Sequence, residues 1–255
     1  MQKVALITGA GSGLGAGIAR YLAKAGWDLA IHTGTNKERA DVLADELRVE
    51  NNCNVGVIVS DFSLGNATEH LFNQFRMMYS RLDLFVNNAG ITKGLPILEM
   101  TEELYDEINN INLKNAYFSV QQAAKLMVET KTKGNIVIIS SNNHAMNWYG
   151  ISVYAMVKEA LVKFTKHAAM EFAQSGIRVN CIAPGWIDTG EQRLLQGQKE
   201  SSIPDIPMKR WVQPEEIGEW IVFLTSAASA SLTGDTIELD GGVRIMSGPA
   251  KSYGL

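Results

Sequence analysis

The chain has 255 residues, 46% hydrophobic and 20% charged, with no low-complexity tract, which fits one sizeable globular core and excludes a disordered or fibrous polypeptide. Its formal net charge is -4, and 23 Lys and Arg are scattered among 27 Asp and Glu, which argues against a nucleic-acid partner. No uninterrupted apolar run is long enough to cross a bilayer, and Cys53 and Cys181 are too far apart for a metal-ligand pattern; no membrane, no metal site and two reduced thiols are expected.

Met1-Gln2-Lys3 passes straight into an apolar run and leaves no room for a secretory leader, so a cytoplasmic location is expected. The first predicted strand, Val4 to Thr8, precedes a helical pattern near 14 to 25, a strand at Asp28 to His32 and a helix near 37 to 50. Next come strand Val55 to Ser60, helix 66 to 80, strand Leu82 to Val86 and one long helical pattern from 102 to 129. Strand Asn135 to Ser140, helix 152 to 174, strand Arg178 to Ile182, helix 214 to 226 and strand Thr236 to Leu239 complete the series. Runs such as Ile136-Val137-Ile138-Ile139 lack polar alternation, as parallel strands covered on both faces do. This exchange of strand and helix predicts a single α/β domain over 1 to 255: a doubly wound, Rossmann-type fold whose seven-stranded parallel sheet carries helices on both faces. Residues 188 to 213 have no confident element, and a connection of that length reads as a substrate lid.

Ligands of such sheets bind outside the carboxyl ends of the strands. There the first strand runs into Thr8-Gly9-Ala10-Gly11-Ser12-Gly13-Leu14-Gly15 and then a helix. Glycines allow a tight turn and close backbone approach to a pyrophosphate, and the helix offers free N–H groups and a positive dipole end, so Gly9, Gly11, Ser12, Gly13, Leu14 and Gly15 are candidate dinucleotide contacts. At the end of the second strand, His32-Thr33-Gly34-Thr35-Asn36-Lys37 contains no acid to repel a 2′-phosphate. Thr33 and its neighbours therefore favour NADP, with NAD the alternative because Ser12 and Gly34 are not basic; the segment also reads simply as a turn and helix cap.

Tyr154 and Lys158 are four apart in a good helical stretch and leave from the same face. An ammonium beside a tyrosine favours its phenolate, so such a tyrosine can donate or accept an alcohol proton. In isolation the same pair is ordinary helix surface. Asn112 is a mediocre helix former inside a helical run, which points to a function or to a polar contact between helices.

In order along nearly the whole chain, Thr-Gly-x3-Gly-x-Gly, Asn87-Asn88-Ala89-Gly90, Asn112, Ser141, Tyr154-x3-Lys158 and Pro184-Gly185 resemble the short-chain dehydrogenase/reductase superfamily, with the outline of glucose/ribitol dehydrogenases and 3-oxoacyl-acyl-carrier-protein reductases. The resemblance implies an NAD(P)-dependent oxidoreductase acting on CH-OH groups. Tyr154 would be the proton donor, Ser141 would polarise the substrate oxygen, Lys158 would support the tyrosine, and Asn112 would help hold a relay water. Hydride would leave the B face of the nicotinamide. Asp61 and Phe62 would flank the adenine, Asn88, Ala89 and Gly90 the cofactor's ribose side, and Ile187 and Thr189, after Pro184 and Gly185, the carboxamide. Asp61 and Thr189 also read as a turn former and a cap.

Asn142 to Gly150 is rich in amides and aromatics, which suits a small polar substrate such as a sugar, polyol or keto acid. Asn143, His144, Trp148 and Trp186 are candidate contacts, although Trp148 reads equally as packing and His144 as a surface or supporting residue. Gln192, Arg193 and Trp211 border the lid. A 3-oxoacyl-acyl-carrier-protein reductase is the enzymatic alternative, with Lys131 and Lys133 expected near the site to meet an acidic carrier, although they read equally well as solvated charge. A non-catalytic NADP-binding sensor is the alternative of another class. The resemblance further implies a homotetramer using helices 102 to 129 and 152 to 174 and the last strand, and Val243 to Leu255 could reach a neighbouring subunit.

Overall fold

A computed structural model describes residues 2–190 and 202–246. Its seven strands are β1 (Val4–Ile7), β2 (Asp28–Thr33), β3 (Val55–Val59), β4 (Leu84–Asn87), β5 (Asn135–Ile139), β6 (Arg178–Pro184) and β7 (Thr236–Leu239). They form one sheet in the order β3-β2-β1-β4-β5-β6-β7, with every pairing parallel. Ala5 lies beside Leu29 on one side and Leu84 on the other, so β1 is central.

The helices are α1 (Gly13–Lys24), α2 (Lys37–Asn51), α3 (Ala67–Met78), α4 (Glu102–Asn109), α5 (Asn115–Glu129), α6 (Ser152–Phe172) and α7 (Pro214–Thr225). Side chains alternate across a strand, and β1 divides accordingly. Ala5 and Ile7 join Ile18 and Leu22 of α1, Leu43 and Leu47 of α2 and Ile217 and Ile221 of α7 in one buried cluster. Val4 and Leu6 join Phe75 of α3, Val120 of α5 and Leu161 of α6 in another. Each sheet face thus has its own core, which is the physical content of double winding. The chain leaves β1 toward β2 and β3, then returns to build outward from β4, so a crevice opens at the carboxyl ends of β1 and β4.

The long helix predicted over 102 to 129 is interrupted. One π-helical turn, Asn110–Lys114, separates α4 from α5 and carries Asn112. Such turns insert one residue and re-aim the side chains around it. The last helix begins on Pro214, with the Gln213 backbone N–H donating to the Glu216 carboxylate at 2.8 Å.

Residues 191–201 of the predicted lid, including Gln192 and Arg193, lie outside the described residues, as do residues 247–255 of the tail. The chain flanking this segment is joined across it. Ile187 and Val212 form a parallel bridge, with Asp188 N–H donating to Val212 O at 2.9 Å and Val212 N–H to Trp186 O at 2.8 Å.

Candidate active site

The crevice is floored by the glycine turn. Gly9 and Gly13 have φ of 64° and 54°, the left-handed region that a side chain makes costly. A Cβ on Gly9 would sit 2.8 Å from Ala89 Cα, and one on Gly15 only 2.3 Å from Gly9 O. The turn is tied to the end of β4: Asn88 Nδ2 donates to Thr8 O at 2.9 Å and Gly9 O at 3.1 Å, while Thr8 Oγ1 accepts the N–H of Asn88 and of Ala89. Ser12 precedes α1 and makes no capping bond of its own, and the first turn of α1 contains no acid. Unspent N–H groups, a positive dipole end and bare backbone fit the pyrophosphate of a dinucleotide. Gly15→Ala is expected to abolish measurable cofactor binding in a fluorescence titration and to lower stability by about 1–3 kcal/mol, since the added methyl meets backbone that cannot yield.

Beneath the turn lies a residue that pattern reading passed over. His32 accepts the Gly9 N–H at Nδ1 (3.1 Å) and donates from Nε2 to Ser60 O (2.7 Å), so its neutral tautomer is fixed by its two backbone partners. Its ring stacks on Phe62 at 4.6 Å, and burial lowers its pKa to about 4. The strand-borne His32 was visible in the sequence, but Ser60 and Gly9 become its neighbours only when the sheet forms.

A small cleft of about 180 Å³ brings together Leu14, Gly90, Ser141, Tyr154, Lys158 and Ile187, with Asn88, Pro184 and Gly185 also in its wall. Lys158 is buried and donates to Ile139 O at 3.1 Å, with Nζ 5.4 Å from the centre of the Tyr154 ring. Ser140, one residue after β5, donates its hydroxyl to Lys158 O at 2.8 Å. Ser141 faces the cleft, and its Oγ accepts from Asn143 N at 3.2 Å and Nδ2 at 3.0 Å. Asn112 is buried behind Gly90. Its Oδ1 accepts the Ile91 N–H at 2.7 Å and its Nδ2 donates to Ile91 O at 2.9 Å.

Several predicted contacts are engaged elsewhere. The Phe62 ring is buried against His32, and the Asp61 carboxylate accepts the Ser63 N–H at 2.9 Å as a turn former, which holds it below the usual carboxylate range. Thr33 is buried under Gly11, whose Cβ would meet Thr33 Oγ1 at 2.9 Å. Thr189 lies across from the glycine turn, 3.8 Å from where a Cβ on Gly13 would stand. His144 has both ring nitrogens on carboxylates, Glu159 at 3.0 Å and Glu238 at 2.7 Å. Trp186 stacks on Trp211 at 5.5 Å, and Trp148 meets Trp186 edge-on at 6.3 Å. Lys131 and Lys133 are not near the site: they precede β5, whose opposite end leads to Ser141, roughly 15 Å away at the rise of a strand. Their position reflects the direction of β5.

Among the described residues no helix is long and apolar enough to cross a membrane, and no three His, Cys, Asp or Glu gather as a metal site. Both cysteines are buried and free.

A family profile described as enoyl-(acyl carrier protein) reductase matches residues 9–244. The chain belongs to the short-chain dehydrogenase/reductase superfamily. A 3-oxoacyl-[acyl-carrier-protein] reductase of Staphylococcus epidermidis is 31% identical over 244 residues, 95% of this chain and 99% of that protein. The corresponding Aquifex aeolicus protein is 34% identical over 246 residues, 94% of this chain and 97% of its own length. Among solved structures, an acetoin dehydrogenase from Enterobacter cloacae matches with a TM-score of 0.88 and 31% identity, covering 96% of each chain. This superfamily member is therefore an oxidoreductase of the kind that acts on CH-OH groups with a nicotinamide dinucleotide.

Proposed function

We propose that this short-chain dehydrogenase/reductase interconverts a secondary alcohol and a ketone on a small polar substrate, with NADP as its preferred cofactor. The observation that carries the reading is the convergence of Ser141, Tyr154 and the buried Lys158 on one cleft at the sheet's crevice. The cofactor, when bound along the glycine turn, supplies or accepts the hydride. Ser141 steadies the substrate oxygen, and its hydroxyl is oriented for this by two donors from Asn143. Tyr154 delivers a proton to that oxygen in reduction and removes it in oxidation. Lys158, fixed by Ile139 O, sets its Nζ 5.4 Å from the centre of the Tyr154 ring and so positions the tyrosine's partner for proton transfer. Asn112 has both ends of its side-chain amide on Ile91, so its part in a proton relay would run through its main chain.

The absence of an acid after β2 supports NADP, and Gly34 has open space where a Cβ would stand. Lys37 is paired with Asp41 on the surface at 2.5 Å, a solvated contact that a 2′-phosphate can outcompete. The narrow cleft and the Trp148, Trp186 and Trp211 wall support a small substrate presenting hydroxyls and a C–H face. The acyl-carrier reading draws on the reductase relatives but loses the two lysines offered as its docking point. Tyr117 stacks on Phe164 across α5 and α6 at 4.7 Å, and Tyr117 is 48% exposed, which supports burial of this face in a homotetramer. A single-domain enzyme with a lid over 188 to 213 completes the proposal.

Nicotinamide absorbance followed with a panel of sugars, polyols, hydroxyketones and keto acids, with NADPH and NADH in parallel, tests it. Turnover is expected at least ten-fold more efficient with NADPH, the effect of about 1.4 kcal/mol of differential binding. A preference for NADH overturns the cofactor assignment. Tight NADPH binding without turnover on any carbonyl or alcohol favours the sensor.

A further inference from the structure

We infer that His144 is a positioning residue that clamps the turn carrying Ser141 onto α6 and β7. The inference rests on the proposed role of Ser141. After β5 the chain makes a single 3-10 turn, Asn142–His144, capped by Ser141 itself. Asn143, within that turn, supplies both donors that orient Ser141 Oγ. The turn has little regular structure to hold it, because one 3-10 turn is weak by itself.

His144 holds it from outside. Nδ1 faces Glu159 Oε2 at 3.0 Å, and Glu159 follows Lys158 directly on α6. Nε2 faces Glu238 Oε1 at 2.7 Å on β7, 94 residues away along the chain. Glu238 is itself approached by Arg244 Nε at 3.5 Å. Two acids and one further base are thus the charged groups around the imidazole: Glu159 from the catalytic helix, Glu238 from the last strand and Arg244 just beyond it. The His144 and Glu238 side chains are only 12% and 19% exposed, whereas Glu159 is 58% exposed, so the Glu238 link is the sheltered one and the less screened by solvent. The catalytic serine, the helix of Tyr154 and Lys158, and the edge of the sheet are joined through this one ring.

Losing a hydrogen bond to a charged group costs enough free energy to shift a local equilibrium by about ten-fold or more. A turn that is correctly placed only a fraction of the time scales the catalytic rate by that fraction. His144→Ala is therefore expected to lower kcat about ten-fold, with the cofactor KM unchanged because the ring touches no part of the glycine turn. Amide hydrogen exchange at residues 141–145 should accelerate in parallel. Glu238→Ala should reproduce both effects, Glu238→Gln, which keeps an acceptor for Nε2, should stay within about three-fold of wild type, and the double alanine variant should be no worse than either single one.

A fall in kcat without faster exchange overturns the clamp, since His144 would then act on substrate directly. Faster exchange with unchanged kcat, or additive losses in the double variant, also overturns it. Should His144→Ala fail to fold, the Glu238→Ala and Glu238→Gln pair decides alone. Should the wild-type protein turn over no carbonyl compound or alcohol, the proposed function fails, and exchange at 141–145 decides the clamp by itself: faster in Glu238→Ala supports it, unchanged overturns it.

Discussion

Tyr154→Phe is expected to reduce kcat by about three orders of magnitude, in the middle of the range for removing a positioned general acid. Among the described residues the Tyr154 hydroxyl takes part in no hydrogen bond of the fold, and the ring centre lies 5.4 Å from Lys158 Nζ, a contact that phenylalanine keeps. The variant should therefore fold normally and bind NADPH within a few-fold of wild type. Steady-state turnover together with a fluorescence titration of cofactor checks both halves. Activity within ten-fold of wild type would remove Tyr154 from its assigned role.

The second large effect concerns acid stability. His32 is held near pKa 4 in the fold against an ordinary 6.5. The unfolded chain takes up a proton as pH falls through about 6.5, whereas the folded protein resists until about 4, so stability is lost over that window as pH decreases. Between pH 7 and pH 4.5 the loss attributable to this ring is about 2 kcal/mol. His32→Gln retains a donor and an acceptor but does not titrate. Urea unfolding at the two pH values should show the wild type losing about 2 kcal/mol more than the variant, with the remaining histidines common to both. Equal losses would mean that the ring is not the acid-sensitive element. Protonation of Nδ1 also forfeits the Gly9 N–H bond, so NADPH affinity should weaken before global unfolding.

Much of the fold was legible because its signals are local. Continuous β-branched runs announce buried parallel strands, and a glycine at φ 64° tolerates few substitutes, so the strands' places in the chain, the glycine turn and the four-residue spacing of Tyr154 and Lys158 could be read directly. What escaped depends on neighbours distant in sequence. The ring partners of His144 are 15 and 94 residues away, and nothing in the local pattern distinguishes a ring bound to Glu238 from one facing a substrate. Phe62 meets His32 only once β2 and β3 lie side by side. The π-helical turn at Asn110–Lys114 leaves the apolar periodicity of 102 to 129 nearly intact, so the sequence shows an odd asparagine but not the inserted residue. Lys131 and Lys133 were misplaced because adjacency to a strand does not say which of its ends faces the site.

The bridge between Ile187 and Val212 has a consequence for how such an enzyme changes. Because the bridge closes the segment at its root, whatever lies between is an excursion whose two ends are already fixed together. Lengthening or replacing an excursion of this kind costs closure entropy that grows only with the logarithm of its length, about 0.6 kcal/mol per doubling. Cassettes of different length grafted between Thr189 and Arg210 would leave the sheet and the hydride chemistry standing while exchanging the wall against which a substrate is measured.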